Sequence, residues 1–407
     1  EQGAKAAASH TASLAGQDSV YDAVFERYGA YRARTTEEML DVAYAASQGK
    51  FPRGRRIAII TNSGGIGVQA ADFAADEGLD VASVDAGAQT AVRALSPNAA
   101  TENPVDLTGQ VANDPQMFAG AIDAVLASGD FDMAYASIGL IAGLPHLRGP
   151  LRESMALMAA RYPDVPMTVS VTAPADVIAG YEKAGYSNFR EPSRAIRALA
   201  ALATFPEGWD RPLPEPGDAR DLPRIAAGQR FSEAAGKALL ASVGVPSPAE
   251  HLVRDAAGAD AAARAIGKPV AIKVVSADIP HKTEVGGVAL NVAPQDAGER
   301  LERMRADVTA AAPDARIEGY LVTPMIGGGT ECIVGIASDP LFGPVVMFGL
   351  GGVTVELMKD VTSRLAPVDE AGAMEMIRAI RGFPLLDGFR GRPRAAVAAL
   401  AKAIAGL

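Results

Sequence analysis

The feature that most constrains this chain is an alternation that starts after Arg55, in which a short apolar strand, a glycine-rich turn and a helical stretch follow one another. The first round reads IAIIT (57–61), NSGGIG (62–67) and AADFAADEG (70–78), with a short strand DVASV (80–84) behind it. Further apolar strands stand at 133–141 (MAYASIGLI) and 165–171 (VPMTVSV), separated by helical stretches at 115–128 and 149–162. Strands that alternate with helices pair through crossovers, so the pattern predicts a parallel, doubly wound α/β domain. Upstream, residues 1–16 are small and polar and read as a loop, while 17–33 and 37–48 carry apolar residues at helical spacing. Thr35 and Glu38 are spaced as a capping box in front of the second of these helices.

After Phe205 the alternation stops. Residues 206–228 hold several prolines and the sole tryptophan without periodicity, which marks an interdomain linker. Beyond it a helix is expected at 232–244, strands at 269–275 and 287–292, a helix at 295–312, and strands at 320–326, 331–337 and 344–350. Consecutive strands without helices between them predict an antiparallel α+β sheet. The boundaries expected are therefore 1–50, 51–205, 206–228 and 229–407.

Composition narrows the class. Of 407 residues 49% are hydrophobic and 21% charged, enough apolar side chain for large cores, which excludes a disordered chain. No apolar run reaches the roughly 18 residues of a membrane span. A formal charge of -10 argues against nucleic-acid binding through a basic surface. The one cysteine, Cys332, excludes a disulfide framework and a multi-cysteine metal site, and it fits a reducing cytoplasm.

Few residues are chemically suited to a site. Of the four histidines, His146 and His251 read as surface residues, whereas His10 lies in AAASHTASLAG, a run of small residues that fits either a solvated loop histidine or an imidazole that reaches a substrate and carries a phosphoryl group. The turn Asn62, Ser63, Gly64, Gly65, Ile66, Gly67 joins a strand to a helix and presents backbone N–H groups to an anion, although close strand–helix packing explains glycines there equally well. Lys273 lies inside an apolar strand, where a charge is costly unless it meets an anion. Beyond it His281 and Lys282 approach Gly286 and Gly287, which let backbone come close to phosphates. The stretch Val322–Glu331 joins a strand to a glycine triplet, and Gly351, Gly352 and Glu356 follow. Together these pieces describe a nucleotide clamp. Cys332 reads as a small buried strand residue, and Asn103-Pro104-Val105-Asp106 as a turn whose carboxylate can face the active region.

Taken in order, AAASHTASLAG, AIITNSGGIGV, ENPVDLTG, AIKVVSADIPHKTEVGGV and SDPLFGPVVMFGLGGVTVELMKDV closely resemble the NDP-forming acyl-CoA synthetases, which include ADP-forming acetyl-CoA synthetase, with succinyl-CoA synthetase a more distant relative. The resemblance implies a flavodoxin-like domain followed by an ATP-grasp domain, and an acyl-CoA made from a carboxylic acid, CoA and ATP through an acyl phosphate and a phosphohistidine. It implies that His10 is the phosphorylated histidine, that Asn62, Ser63, Gly64, Gly65 and Gly67 hold it, and that His281 relays phosphate toward it. Lys273 would meet the nucleotide phosphates, Gly286 and Gly287 would cover them, Val322, Thr323 and Met325 would form the adenine hinge, and Glu331 would face the ribose. Mg²⁺ is implied with the nucleotide, its ligands unassigned. Such enzymes place a CoA-binding domain ahead of the His10 loop, so the remaining parts are expected from the same longer chain or from a partner subunit, in a homo-oligomeric, cytoplasmic assembly. The alternatives are a ligand-sensing module of a protein acetyltransferase and a non-catalytic nucleotide-binding subunit.

Overall fold

The computed structural model describes residues 18–214, 231, 233–279, 281–352 and 360–407. Two compact units divide the chain, Asp22–Leu213 and one that holds the described residues of Pro214–Leu407. In the first, five strands form one sheet: β1 (Ile57–Thr61), β2 (Val105–Asp106), β3 (Met133–Gly139), β4 (Met167–Val171) and β5 (Tyr186–Asn188). All pairs are parallel and the order is β2-β1-β3-β4-β5, the flavodoxin-like winding. Every residue of β1 is buried because helices cover both faces. Ala58 and Ile60 enter one core with Val92, Phe118, Ile122 and Met155, whereas Ile57 and Ile59 enter the other with Ala70, Ala74, Ile196 and Leu199. The period-two alternation of a strand thus divides IAIIT between two cores.

Three expectations change here. The helix expected at 70–78 is Gly64–Asp76, so the turn glycines form its first turn. Residues 80–84 are not a strand; only Asp80 makes a bridge, to Arg56. The reason is Asn103, whose amide nitrogen donates to the carbonyls of Ile57 (2.7 Å) and Ala82 (2.9 Å) while its amide oxygen accepts from Ile59 N–H (3.0 Å). β2 reaches only Ile60 and Thr61, and one side chain satisfies the upstream half of β1 where a further strand would lie. Last, the helix Pro192–Trp209 runs four residues into the stretch expected as linker, with Pro206 inside it. The rings of Phe205 and Trp209 both pack edge-on against Phe51, with centroids 5.7 and 4.9 Å away, and these ring contacts hold the last turn in spite of the proline. Residues 215–230 lie outside the described residues.

Residues 22–50 belong to this same unit rather than standing apart from 51–205. The Thr35 hydroxyl caps the helix Thr36–Ala46 by accepting from Glu38 N–H, as the capping box predicts, but the Glu38 carboxylate turns back to Arg34 N–H. That helix lies on Pro192–Trp209, where Arg194 holds Asp41 with two bonds of 2.6 and 2.7 Å. Tyr44 packs edge-on against Phe189.

The second unit is built on two antiparallel sheets, as the run of consecutive strands predicts. The first has the order β6-β9-β7-β8, from β6 (His251–Val253), β7 (Val270–Val275), β8 (Val288–Val292) and β9 (Gly319–Pro324). Helices Ala256–Ile266 and Ala297–Ala311 close its core around Ile272, Val274, Leu301 and Val322. The second sheet is β10 (Cys332–Asp339), β11 (Gly343–Leu350) and β12 (Val361–Leu365), covered by helices Glu370–Ala379 and Val397–Gly406. Cys332 is on a strand but half-exposed rather than buried. Among the described residues no helix is long and apolar enough to cross a membrane.

Asn103→Ala should lower the unfolding free energy by about 2–4 kcal/mol, because it strands three backbone groups beside a buried strand. Chemical denaturation reads this directly, and a variant as stable as the parent removes Asn103 from this role.

Candidate functional site

In the first unit the strand-to-helix junction after β1 lies at the carboxyl edge of the sheet, next to β3, where the winding reverses direction. The Asn62 amide donates to the carbonyl of Ile138 at the end of β3 (3.2 Å) and pins the junction there. Thr61 Oγ1 accepts from Ser63 N–H at 3.0 Å, which fixes the turn. Ser63 is the helix N-cap in extended conformation, with no side-chain cap bond. The first-turn N–H groups of Gly64 and Gly65 consequently face outward from a helix whose dipole favours an anion. A Cβ at Gly67 would sit 3.0 Å from Thr61 and 3.2 Å from Pro104, so this glycine serves close packing; one at Gly65 would meet nothing, which leaves an open approach. Asp106, at the end of β2, accepts from Thr108 N–H (2.9 Å), and its second oxygen lies 3.2 Å from where a Gly64 Cβ would be. The structure thus brings together Asn62, Ser63, Gly64, Gly65 and Gly67, with the Asp106 carboxylate, which the sequence offered as one facing this region, at the rim. His10 lies outside the described residues.

In the second unit the chemistry centres on an acid that sequence reading passed over. Lys273, alone among apolar residues on β7, donates to Glu233 Oε1 at 3.0 Å, and Lys282 donates to Glu233 Oε2 at 2.9 Å. Lys237, one turn along the helix Glu233–Ser242, donates to Glu233 Oε1 (2.8 Å) and also to Glu250. Burial pushes the Glu233 carboxyl up, but the bonds from Lys237, Lys282 and Lys273 outweigh it and bring its pKa from 4.5 down to about 2. Burial lowers the Lys237 ammonium, and Glu233 and Glu250 more than offset this, leaving it raised. Three cations on two carboxylates leave an excess of positive charge. The signal was present: Glu233 and Lys237 are spaced i, i+4, and Lys273 required an anion somewhere.

Lys282 and the glycines belong to the loop between β7 and β8. Gly286 has φ +69, and Gly287 N–H bonds the Lys282 carbonyl at 2.7 Å while its own carbonyl accepts from Val274 N–H at 2.9 Å. A Cβ at Gly287 would come within 2.5 Å of Val274 Cγ1, so only glycine lets the loop lie this close to β7. His281, exposed, precedes Lys282 within the loop.

The expected hinge divides by pleat. Val322 is fully buried in the core and sits between strands, opposite His251 and Ile272, so its side chain holds the sheet. Thr323, opposite Ala271, lies on the Lys273 face of β9, and Met325 leaves the strand with its N–H bonded to the Pro269 carbonyl (3.0 Å). Glu331 is exposed just before β10; its carbonyl accepts from Gly351 N–H at 2.7 Å and its carboxylate lies over Gly352. Glu356 is outside the described residues. His251 is exposed on β6 and His146 exposed in a turn, consistent with surface positions. Among the described residues no three His, Cys, Asp or Glu side chains gather to hold a metal.

Comparison with known proteins places both parts of the chain. An ATP-grasp domain model matches residues 225–407, and a model of the succinyl-CoA ligase like flavodoxin domain matches residues 1–46. The beta subunit of acetate–CoA ligase (ADP-forming) I from Pyrococcus furiosus is 40% identical over 42% of this chain and 75% of its own length. The chain belongs to the ADP-forming CoA ligase family. Acetate–CoA ligase (ADP-forming) I of Archaeoglobus fulgidus is 33% identical over 98% of this chain, and 4-hydroxybutyrate–CoA ligase (ADP-forming) of Nitrosopumilus maritimus 30% over 99%. The chain spans 59% of the length of each of these two relatives. A solved acetyl-coenzyme A synthetase 1 from Ca. Korarchaeum cryptofilum, in complex with coenzyme A and Ca-AMPCP, is 37% identical over 44% of this chain and 80% of that one, with a TM-score of 0.42.

Two measurements follow for this ligase-family chain. Because the folded pKa of Glu233 is depressed, its stabilisation is complete above pH 4.5 and is lost as pH falls from there through about 2. The stability difference between the parent and Glu233→Gln should therefore shrink across that window in denaturant titrations, and a pH-independent difference contradicts an ionised hub. Gly287→Ala should lower stability by about 1–3 kcal/mol through overpacking against Val274, read from the same titrations.

Proposed function

We propose that this chain supplies the phosphohistidine loop, the flavodoxin-like ligase domain and the ATP-grasp domain of an ADP-forming acyl-CoA ligase. The overall reaction is ATP, a carboxylic acid and CoA giving acyl-CoA, ADP and phosphate. What carries the reading is the Archaeoglobus acetate–CoA ligase, alike along 98% of this chain, joined to a cluster of lysines with surplus positive charge beside a glycine loop.

In the proposed sequence a histidine ring nitrogen attacks the γ-phosphorus of ATP and ADP leaves with the bridging oxygen. Lys273 and Lys282 face the charge on the transferring phosphoryl group, the Gly286–Gly287 loop lies over it, and Glu331 takes the ribose. Thr323 and Met325 line the adenine side. His281 relays the phosphoryl group to His10. Phospho-His10 then gives it to the carboxylate, forming the acyl phosphate, and the CoA thiol attacks the acyl carbon and releases phosphate. Asn62, Ser63, Gly64, Gly65 and Gly67 hold the phosphohistidine by backbone N–H groups at the helix start. Mg²⁺, when bound with the nucleotide, would lower the charge on its phosphates; a cation held mainly through phosphate oxygens and water needs few protein ligands.

The CoA-binding part comes from elsewhere in a longer polypeptide or from a partner subunit, in a homo-oligomer working in the cytoplasm. Separate alpha and beta subunits of the Pyrococcus furiosus acetate–CoA ligase each resemble part of this chain, which supports either arrangement. Within the ligase part residues 22–50 share one compact unit with 51–205, and the ATP-grasp domain is assigned to 229–407.

The test uses the complete enzyme with Mg·ATP, CoA and a panel of short and aromatic acids. The parent should acquire acid-labile phosphate, and His10→Ala should lose both that phosphate and acyl-CoA formation while still binding ATP. His281→Ala should slow phosphorylation of His10 by ATP without affecting its phosphorylation by acyl phosphate. Acyl-CoA synthesis retained in His10→Ala sinks the assignment.

A further inference from the structure

Three ammonium groups converge on the Glu233 carboxylate, and how their donors are shared says what this acid does. An ammonium has three N–H donors. Lys237 uses two, on Glu233 and Glu250, and so is anchored at the back of the cluster. Lys273 and Lys282 each use one, both on Glu233, and among the described residues neither ammonium donates another hydrogen bond. Two donors on each stay open, on side chains still 29% and 20% exposed. One lysine stands on a rigid strand and the other on the glycine loop, so the carboxylate they share fixes the span between strand and loop. Without that anion, three like charges held this close would repel one another and the loop lysine would swing out.

We infer that Glu233 is a positioning residue for phosphate binding: through one bond to each, it sets Lys273 and Lys282 at a fixed separation with their remaining donors open to the phosphates of a nucleoside triphosphate. The inference rests on the nucleotide-site reading above and adds to it an acid that aims the cations rather than competing with the ligand. A carboxylate next to a phosphate site ordinarily weakens anion binding by repulsion. Here the net charge of the cluster remains positive, and the negative charge of Glu233 is taken up by three hydrogen bonds.

The two roles differ in sign. If Glu233 merely competes with phosphate, Glu233→Gln tightens nucleotide binding; if it positions the lysines, Glu233→Gln loosens it. Glu233→Asp keeps the charge but shortens the reach by one methylene, so under the positioning role it loosens binding too. Calorimetric titration of the full chain with ATP and, separately, with adenosine reads the outcome. Adenosine reports on the base and ribose side and is indifferent to the lysines. The expected result is an ATP dissociation constant raised about tenfold in both variants, the scale of a misdirected charge-assisted bond, with adenosine binding unchanged. Unchanged or tighter ATP binding in Glu233→Gln overturns the inference, and so does parallel weakening of ATP and adenosine, which marks a purely structural role. A parent chain that binds neither ligand is a different failure and removes the nucleotide site itself.

Discussion

The half-buried ammonium of Lys273 is the constraint around which the second unit is arranged. A cation on an otherwise apolar strand is tolerated only with an anion in contact. The helix that carries Glu233 supplies it at 3.0 Å, and the same carboxylate draws in Lys282 from the β7–β8 loop and Lys237 from its own helix. One acid therefore ties a helix, a strand and a loop together. The loop's low course over β7 depends in turn on Gly287, where any side chain would run into Val274. Electrostatics and packing act on the same few residues, and the outcome is a positive, partly open surface at the edge of a rigid sheet.

The first unit solves a different problem, the start of a helix at the carboxyl edge of a parallel sheet. Asn62 and Thr61 fix the turn by hydrogen bonds, and Ser63 withholds its side chain from the cap, so the first-turn N–H groups face outward. The glycines differ in their surroundings: Gly67 makes room for Pro104, Gly64 for the Asp106 carboxylate, and Gly65 faces open space. The Asn103 side chain completes the ladder on β1 that the short β2 leaves unfinished.

Much of this was legible along the chain. The winding followed from strand–helix alternation, and the antiparallel second unit from consecutive strands, because periodicity records which faces are buried. The lysine on β7, the loop glycines and the turn at 62–67 were legible as well, each being a residue type out of keeping with its apolar or helical surroundings. What failed to show were features decided by distant partners. The strand expected at 80–84 is held by Asn103 instead, and the helical turn at Pro206 persists with Phe51, far away in sequence, packed edge-on against Phe205 and Trp209.

By itself the sequence determined the two kinds of sheet, the position of the glycine-rich turn, and the need of Lys273 for a negative partner. These follow from local spacing and from the cost of burying charge, which hold whatever the rest of the chain does. Only the tertiary structure decided that the partner is Glu233, forty residues upstream of Lys273, that Lys282 shares it, and that Val322 is sealed in the core while Thr323 shares a face with Lys273. Such choices depend on which helix end meets which strand, and on the side of the pleat to which a residue falls. That information exists only once the elements have packed.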